Sequence, residues 1–400
     1  MGKFVIVACL LLATIFSANG QNPLESDEKA MIENFKGLQV MSKDSTFYIN
    51  FRFRMQNKLG YYSKSATDLG VDRWEARVRR LRLRFDGYLL TPKLDYSIQL
   101  SFTRGDQDFE NSGVANIVRD AIIYYKPTPK LHFGFGLNKL PGNRQRVNSS
   151  GQLQFAERSI VNSALTIDRD FGIKVYYYGD FGGKFHYNLK GAITTGEGRS
   201  ANFTNDGLAY TGRVEILPLG KFLLNGDYSE GDLEREPTPK LSIAGGYCFN
   251  HKALRTGGQL GQFLYAERSM GTLITDVMFK YKGWAYAAEY LRRTAANPFT
   301  MNDEGDMRYV FVGQGTNHQV SYVFPKMYEL AFRYSWLQPD KKIASVATTQ
   351  EMLELGATKY LRKHRIKLQI SAFYDVRDNQ YSLRHESNSW GAVFQIELGI

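Results

Sequence analysis

Cysteine is nearly absent from this sequence of 400 residues, which contains only Cys9 and Cys248. So low a count excludes a disulfide framework and a zinc site built from several thiolates. The six histidines are scattered without the paired spacing of metal ligands. The glycine-rich segments lack the strand and helix that would flank a nucleotide-binding loop. The sequence therefore predicts no metal and no cofactor.

Long apolar runs are also missing once the first twenty residues are passed. Residues 1–20, "MGKFVIVACLLLATIFSANG", combine one lysine, an apolar run over 4–16 and small residues near the end. This order is typical of a secretory signal peptide, here cleaved before Gln21. The run is short for a membrane-spanning helix, and Cys9 lies too early in it for a lipoprotein site. We therefore expect an exported protein, which a membrane would have to hold as a β-barrel.

Acidic residues are fewer than basic ones. The chain has 40 Asp and Glu against 51 Lys and Arg, a formal charge of +11, and removing Lys3 with the signal peptide leaves +10. An exported basic protein meets nucleic acid, anionic lipid or small anions.

What the chain has in abundance is alternation of apolar and polar residues. "FYINFRFRM" at 47–55 and "WGAVFQIELGI" at 390–400 both show it, and short connections such as 91–93 and 282–283 alternate with long polar ones. Period-two alternation indicates strands, and alternating short and long connections are typical of outer-membrane barrels. The sequence thus predicts an all-β fold, a transmembrane antiparallel β-barrel over residues 45–400.

The pattern gives about sixteen strands, an even number as bacterial barrels have. One segment, "FLLNGDYSE" at 222–230, reads as a strand or as part of a connection. Leaving it out gives sixteen and makes 218–239 an unusually long periplasmic connection. Residues 21–44 before the barrel are expected to form a short periplasmic segment, with rough helical spacing at Met31 and Phe35. We predict strands beginning near residues 45, 77, 93, 117, 130, 170, 184, 209, 240, 272, 284, 317, 327, 351, 365 and 388.

The segment "ARVRRLRLRF" at 76–85 places arginines on one face of a strand and apolar residues on the other. In a barrel the apolar face meets lipid and the polar face meets the lumen. Arg82 and Arg84 are therefore predicted to point into the pore, and the same parity points Arg52 and Arg54 inward. The alternation changes phase at Arg79–Arg80, which suggests a β-bulge.

Segments in order along the chain resemble the phosphate-selective porin O and P family. They include "RRLRLRFDGYL", "VRDAIIYYKP", "LHFGFGLNKLP", "DRDFGIKVYY", "GRVEILPLG" and "YVFPKMYELAFRYSWLQP". The resemblance implies a sixteen-stranded, trimeric outer-membrane porin whose third external loop, residues 139–169 here, folds into the barrel as a constriction. It also implies that basic residues line the anion path, which in this loop are Lys139, Arg144, Arg146, Arg158 and Arg169.

The expected partners are small anions such as phosphate, outer-membrane lipid and lipopolysaccharide, and two further copies of the chain, with no nucleic acid. A guanidinium group can bind two phosphate oxygens at once. Several weak binding sites in a row let an anion pass through the pore without being retained. The chain departs from usual barrels by ending in Ile400 rather than an aromatic residue.

Three other interpretations stay open at this point. The first is a general diffusion porin, because the inward face also carries acidic residues. They are Asp95, Asp120, Glu215, Asp276, Glu289 and Glu329. Some of them are expected to pair across strands with Lys174, Arg213 and Arg333. The second is a structural or adhesive barrel that conducts nothing. The third is an outer-membrane phospholipase, suggested by "HESNS" at 385–389, although parity places His385 and Ser387 on the lumen side, away from lipid.

Overall fold

The computed structural model describes residues 37–107, 116–199, 204–379, 382 and 386–400. The predicted signal peptide, the possible helix around Met31 and Phe35, and His385 all lie outside these residues.

Sixteen strands form one antiparallel sheet that closes on itself, so the predicted barrel and its strand number are confirmed. The seam joins the last strand to the first, from Gly391 opposite Tyr62 to Gly399 opposite Arg54. The barrel strands are β2 (Phe47–Ser63), β3 (Val71–Leu89), β4 (Thr91–Ser101), β5 (Val118–Tyr125), β6 (Leu131–Lys139), β7 (Arg169–Asp180), β8 (His186–Thr194), β9 (Ala209–Leu217), β10 (Lys240–Arg255), β11 (Phe263–Tyr281), β12 (Trp284–Ala295), β15 (Gly313–Val323), β16 (Tyr328–Pro339), β17 (Thr349–Arg362), β18 (Ile366–Asp378) and β19 (Ser389–Gly399).

Three short strands complete the sheet structure. β1 (Leu38–Met41) pairs with the beginning of β2, from Leu38 opposite Phe51 to Met41 opposite Tyr48. It thereby occupies the edge of β2 beyond the point where β19 ends. β13 (Phe299–Met301) and β14 (Met307–Tyr309) form a separate hairpin in the connection from β12 to β15.

The alternation of the sequence matches the two faces of the wall. Leu81 is exposed on the outside of β3, whereas Arg80 and Arg82 are buried inside. The predicted bulge is present: Gln56 lies opposite Arg80 and the next residue of β2 lies opposite Val78, so Arg79 has no partner in the ladder. An extra residue on one strand lets two successive arginines, Arg79 and Arg80, face the same side.

The predicted pairing of inward charges is also present. Arg213 on β9 reaches across β10 to Asp276 on β11, with two nitrogen–oxygen distances of 2.7 and 2.9 Å. Arg333 on β16 likewise pairs with Glu354 on β17. Such charge-assisted bonds stiffen the inner surface of the wall.

The connections differ sharply at the two ends of the barrel. At the end that holds both β2's start and the chain terminus, Leu90 alone joins β3 to β4, and Lys282 and Gly283 join β11 to β12. Leu90, Lys282 and Gly283 all have positive φ, as such tight turns require. We call this the short-turn end and the opposite one the long-loop end.

The helices of the described residues are few and short, and none of them is long and apolar enough to cross a membrane. They are α1 (Arg104–Gln107), α2 (Arg144–Val147), α3 (Ile160–Leu165) and the 3-10 helices Ser150–Gln152, Leu223–Tyr228 and Lys341–Ile343. The segment 222–230 is therefore no strand. Leu224 and Asn225 adopt φ of 50° and 55°, which breaks any extended conformation.

In the described part of the chain, two long connections fold deeply into the lumen. The third loop, predicted as residues 139–169, spans residues 140–168 because Lys139 ends β6 and Arg169 begins β7, and it enters from the long-loop end. Residues 218–239, between β9 and β10, enter from the short-turn end, and we call them the lower segment. Together they narrow the interior.

Candidate pore constriction

The third loop is held by inward side chains on widely separated strands. Lys367 on β18 donates to the carbonyl oxygen of Leu153 at 2.6 Å, and Arg293 on β12 donates to that of Thr166 at 2.9 Å. Both side chains are almost fully buried. Backbone carbonyls inside a low-dielectric interior need such donors, so the loop is fixed within the barrel on that side.

The lower segment meets the third loop in the middle of the barrel. The backbone N–H of Glu230 donates to the carbonyl of Gln152 at 2.9 Å, and the carboxylate of Glu230 accepts from the backbone N–H of Gln154 at 2.8 Å. Lys280 on β11 also donates to the carbonyl of Gly226 at 2.7 Å. The two connections are thus bonded to each other and to the wall.

A cavity of about 250 Å³ is left between the third loop and the wall formed by β3 to β9. Six basic side chains border it and only two acidic ones: Arg82, Arg84, Lys139, Arg169, Lys190 and Arg213 against Asp120 and Glu215. A larger cavity of about 800 Å³ lies next to it toward the short-turn end. Arg84, Tyr176, Lys190 and Tyr228 border both, so the pair forms a narrow part followed by a vestibule.

Lys139 is the basic group of this constriction that is bonded to neutral partners. Its Nζ donates to the carbonyls of Val147 at 2.7 Å and Asn148 at 3.1 Å. Among the described residues, no carboxylate lies within 4.0 Å of this nitrogen. The Lys139 side chain therefore has no acid of the described residues in direct contact.

The other predicted arginines of the constriction have acidic partners. Arg82 donates to Asp106 at 2.7 Å, and Arg169 donates to Asp120 at 2.8 Å. Arg84 pairs with Asp86 at 3.0 Å but keeps 45% of its side chain exposed. Paired arginines retain unused N–H donors, so they still present hydrogen-bond donors to a passing anion.

Arg52 and Arg54 point inward from β2, as predicted, but do not border the 250 Å³ cavity. Arg52 pairs with Asp86. Arg54 lies 3.1 Å from Glu397 and donates to the hydroxyl of Ser149 at 2.8 Å. Arg54 therefore connects the third loop to the barrel seam.

Arg144 also lies away from this cavity. It is 2% exposed, 3.0 Å from Asp276 and 2.8 Å from the hydroxyl of Ser242. Burial disfavours its charge, but the Asp276 carboxylate, together with Tyr228 and Glu215, outweighs this effect and raises the pKa of Arg144 above the usual range. Arg144 holds α2 against the wall between β10 and β11.

Arg146 and Arg158 stabilise the third loop itself. Arg146 makes two bonds to Asp168, at 2.9 and 2.6 Å. Arg158 donates to the carbonyls of Gln145 at 2.8 Å and Asn148 at 3.0 Å. Burial, with the neighbouring charge of Arg146, lowers the pKa of Arg158 to about 9. Of the nine predicted arginines and lysines, the structure brings Arg82, Arg84, Lys139 and Arg169 together at the cavity.

Sequence reasoning did not single out Lys190, which lies 2.8 Å from Glu215 at the cavity edge. The inward orientation of Lys190 could have been predicted, because "HYNLKGAIT" at 186–194 alternates and places His186, Asn188 and Lys190 on one face. The lower segment carried no such signal, since its place in the lumen depends on contacts distant in sequence.

The comparisons with known proteins agree with this architecture. Residues 49–238 match the family model described as phosphate-selective porin O and P. Over this stretch, just under half of its length, the chain is similar to the phosphate-selective porin O and P family. As a porin it is located in the outer membrane and provides a passive diffusion channel. No curated protein matches it in sequence.

Solved structures resemble this porin in fold. They include OmpF of Salmonella typhi, in complex with daunomycin (TM-score 0.58, 12% identity, 91% of this chain and 100% of that one). An anion-selective porin from Comamonas acidovorans has a TM-score of 0.51 at 13% identity, over 88% and 99% of the two chains. A trimer form of OmpT of Vibrio cholerae has a TM-score of 0.51 at 12% identity, over 87% and 98%.

Proposed function

We propose that this porin prefers small anions, phosphate among them. The observation that carries the proposal is the 250 Å³ constriction, with six basic and two acidic side chains and with Lys139 bonded only to carbonyls. A low-dielectric wall focuses the field of fixed charges and raises the local concentration of anions. Arginines that keep spare donors add weak sites along the path, which allow passage rather than retention.

The reversal potential in a KCl gradient across a planar bilayer tests the preference. We expect the wild-type porin to favour chloride over potassium, and Lys139→Glu to lower that ratio several-fold because a basic side chain of the constriction is replaced by an acidic one. Lys326→Glu, on the exposed turn between β15 and β16, is the matched control and leaves the ratio unchanged. A cation-preferring wild type, or an unaffected Lys139→Glu variant, contradicts the proposal.

A preference for phosphate among the anions is the more specific part of the proposal. Guanidinium groups bind phosphate oxygens with paired N–H donors, and Arg82, Arg84 and Arg169 border one cavity. Adding phosphate to a chloride solution is expected to reduce the chloride current at millimolar concentration. An equal effect of sulfate and phosphate would show a preference for oxyanions in general and not for phosphate in particular.

We also propose that the porin is a trimer and that its external loops contact lipopolysaccharide. The family resemblance and the trimer form of OmpT support the first point. Cross-linking of the detergent-purified porin tests it, and a monomer alone contradicts it. Binding of labelled lipopolysaccharide to the purified porin tests the second point.

We infer a channel rather than an enzyme or an inert barrel. The family and the fold support this choice. Within "HESNS", Ser387 borders a cavity of about 390 Å³ inside the long-loop end and therefore does not face lipid. Steady current steps in a bilayer support the channel, silence supports a structural role, and release of fatty acid from phospholipid supports the enzyme.

A further inference from the structure

The vestibule below the constriction is rich in tyrosine. Seven tyrosines and one phenylalanine border its 800 Å³, although the whole chain has 25 Tyr and 26 Phe. Tyr48, Tyr88, Tyr124, Tyr176 and Tyr178 are all half-buried there. Tyrosine combines an apolar ring face with a hydroxyl that donates and accepts hydrogen bonds, so the surface suits a solute that is apolar on its faces and polar at its edges.

Several of these rings pack in pairs. Tyr48 and Tyr88 lie opposite each other on β2 and β3, with ring centroids 5.7 Å apart and planes inclined by 22°. Tyr178 packs against His132 at 5.1 Å. Paired rings lose little conformational freedom when a ligand binds, which makes them effective contact surfaces.

Basic side chains stand at both ends of the same vestibule, which is also bordered by Lys126 and by Asp86, Asp95 and Asp227. Arg84 and Lys190 stand where it meets the constriction. Lys221, contributed by the lower segment, is exposed at its border, and no ion pair is formed by Lys221 within the described part of the chain. A cavity of this volume is large enough for a small organic ligand.

We propose that the vestibule is a binding site for sugar monophosphates, which the porin takes up in addition to inorganic anions. The tyrosine faces contact the C–H surface of the sugar ring, the hydroxyls bond its hydroxyl groups, and Lys221 or Arg84 binds the phosphate. This inference rests on the proposed anion preference and extends it from inorganic anions to anions that carry a sugar.

Block of the chloride current in a planar bilayer tests the site. Glucose 6-phosphate, inorganic phosphate and glucose are added separately on the short-turn side. We expect glucose 6-phosphate to reach half-block at a concentration about fivefold below that of phosphate, the equivalent of about 1 kcal/mol for ring contacts. Glucose alone is expected to block least, because it lacks the charge.

Three variants separate the contributions. The double variant Tyr48→Leu, Tyr88→Leu is expected to raise the half-blocking concentration of glucose 6-phosphate to that of phosphate, with the phosphate value and the reversal potential unchanged. Lys221→Gln is expected to weaken the block of the chloride current by glucose 6-phosphate and by inorganic phosphate alike. Tyr210→Leu is the matched control, because Tyr210 is 48% exposed on the outer face of β9.

Equal block by glucose 6-phosphate and phosphate in the wild-type porin overturns the proposal, as does an unchanged sugar phosphate block in the double tyrosine variant. Stronger block by phenyl phosphate than by glucose 6-phosphate also overturns it, because the site would then favour aromatic rings. All three results leave an anion-preferring reversal potential intact. A cation-preferring reversal potential contradicts the proposed function itself.

Discussion

Glu230 accepts a hydrogen bond from the backbone N–H of Gln154 at 2.8 Å, although the two residues belong to connections that enter the barrel from opposite ends. Glu230 is 4% exposed, and its other oxygen lies 3.3 Å from the side-chain nitrogen of Gln145. A buried carboxylate is stable only when donors surround it. The third loop therefore owes part of its position to the lower segment.

Replacing Glu230 is expected to loosen the third loop. In Glu230→Ala the N–H of Gln154 and the amide of Gln145 lose their acceptor, which costs about 1–3 kcal/mol. We expect larger and noisier single-channel currents in a planar bilayer and a lower temperature of thermal unfolding. Glu234→Ala is the control, because Glu234 belongs to the same segment but pairs with Lys363 at the surface. Identical currents in the two variants would mean that the lower segment does not position the loop.

Arg144 is expected to affect stability rather than selectivity. It lies between Asp276 and Asp227 with 2% of its side chain exposed, so removing its charge leaves buried acids without a partner. The loss of one member of a buried pair costs about 3–5 kcal/mol. Arg144→Met is expected to reduce the yield of folded porin and the temperature of unfolding while the residual channels keep the wild-type reversal potential. A folded variant with an altered reversal potential would place Arg144 in the ion path instead.

Period-two alternation made the barrel predictable because lipid and water demand opposite residues on the two faces of each strand. The phase change at Arg79–Arg80 even revealed the bulge. The beginnings of two strands were missed: β3 starts at Val71 rather than near 77, and β11 at Phe263 rather than near 272. Their long-loop ends carry Asp72, Arg73, Glu267 and Arg268, and such polar residues give no apolar stripe to recognise.

The alternation along a strand predicts which side chains point inward. It does not predict which of the inward basic side chains lack an acidic partner. Arg82 and Lys139 carry the same charge in the sequence, yet Arg82 meets Asp106 while Lys139 meets carbonyl groups. The acid that pairs with Arg82 comes from α1, and the carbonyls come from the third loop. These partners depend on how the loops fold back into the lumen, for which the local sequence pattern gives no rule.

The loop between β8 and β9 is expected to be more stable at mildly acidic pH. Burial raises the pKa of Glu197 to about 7, against 4.5 for an ordinary glutamate, even though it accepts from the N–H of Leu254 at 3.1 Å. The folded state therefore binds a proton more tightly than the unfolded state. This stabilisation is fully present below about pH 4.5 and is lost as the pH rises through about 7, an effect on the order of 3 kcal/mol.

Hydrogen exchange at the amide of Leu254, corrected for the intrinsic pH dependence of exchange, measures this effect. We expect greater protection at pH 5 than at pH 8, and Glu197→Gln is expected to remove the difference because its side chain does not titrate. Equal protection at both pH values in the wild-type porin would show that Glu197 has an ordinary pKa.

Glu157 of the third loop neutralises a cluster of cations on the wall. Arg79 donates to it at 2.6 and 2.9 Å, and the nitrogen of Lys58 lies 3.2 Å away. Burial favours the neutral acid, but the bonds and charge of Arg79, together with the charges of Arg80 and Lys58, outweigh burial and hold the pKa of Glu157 below its usual range. Glu157 is therefore charged at neutral pH, and 36% of its side chain is exposed to the cavity at the long-loop end.

Glu157→Gln is expected to increase the anion preference, because the amide keeps the shape of the side chain while Arg79 and Lys58 lose their counter-charge. The local field inside the barrel then becomes more positive, and anions accumulate at the external entrance. The reversal potential in a KCl gradient should shift further toward that of chloride, and the shift should shrink at high salt, where charges are screened. Asp68→Asn, in the exposed loop before β3, removes one negative charge at the surface and is the control. If both variants shift the potential equally, the effect belongs to the net charge of the porin. If Glu157→Gln alone shifts it, anions pass close to Arg79 and Lys58 on their way to the constriction.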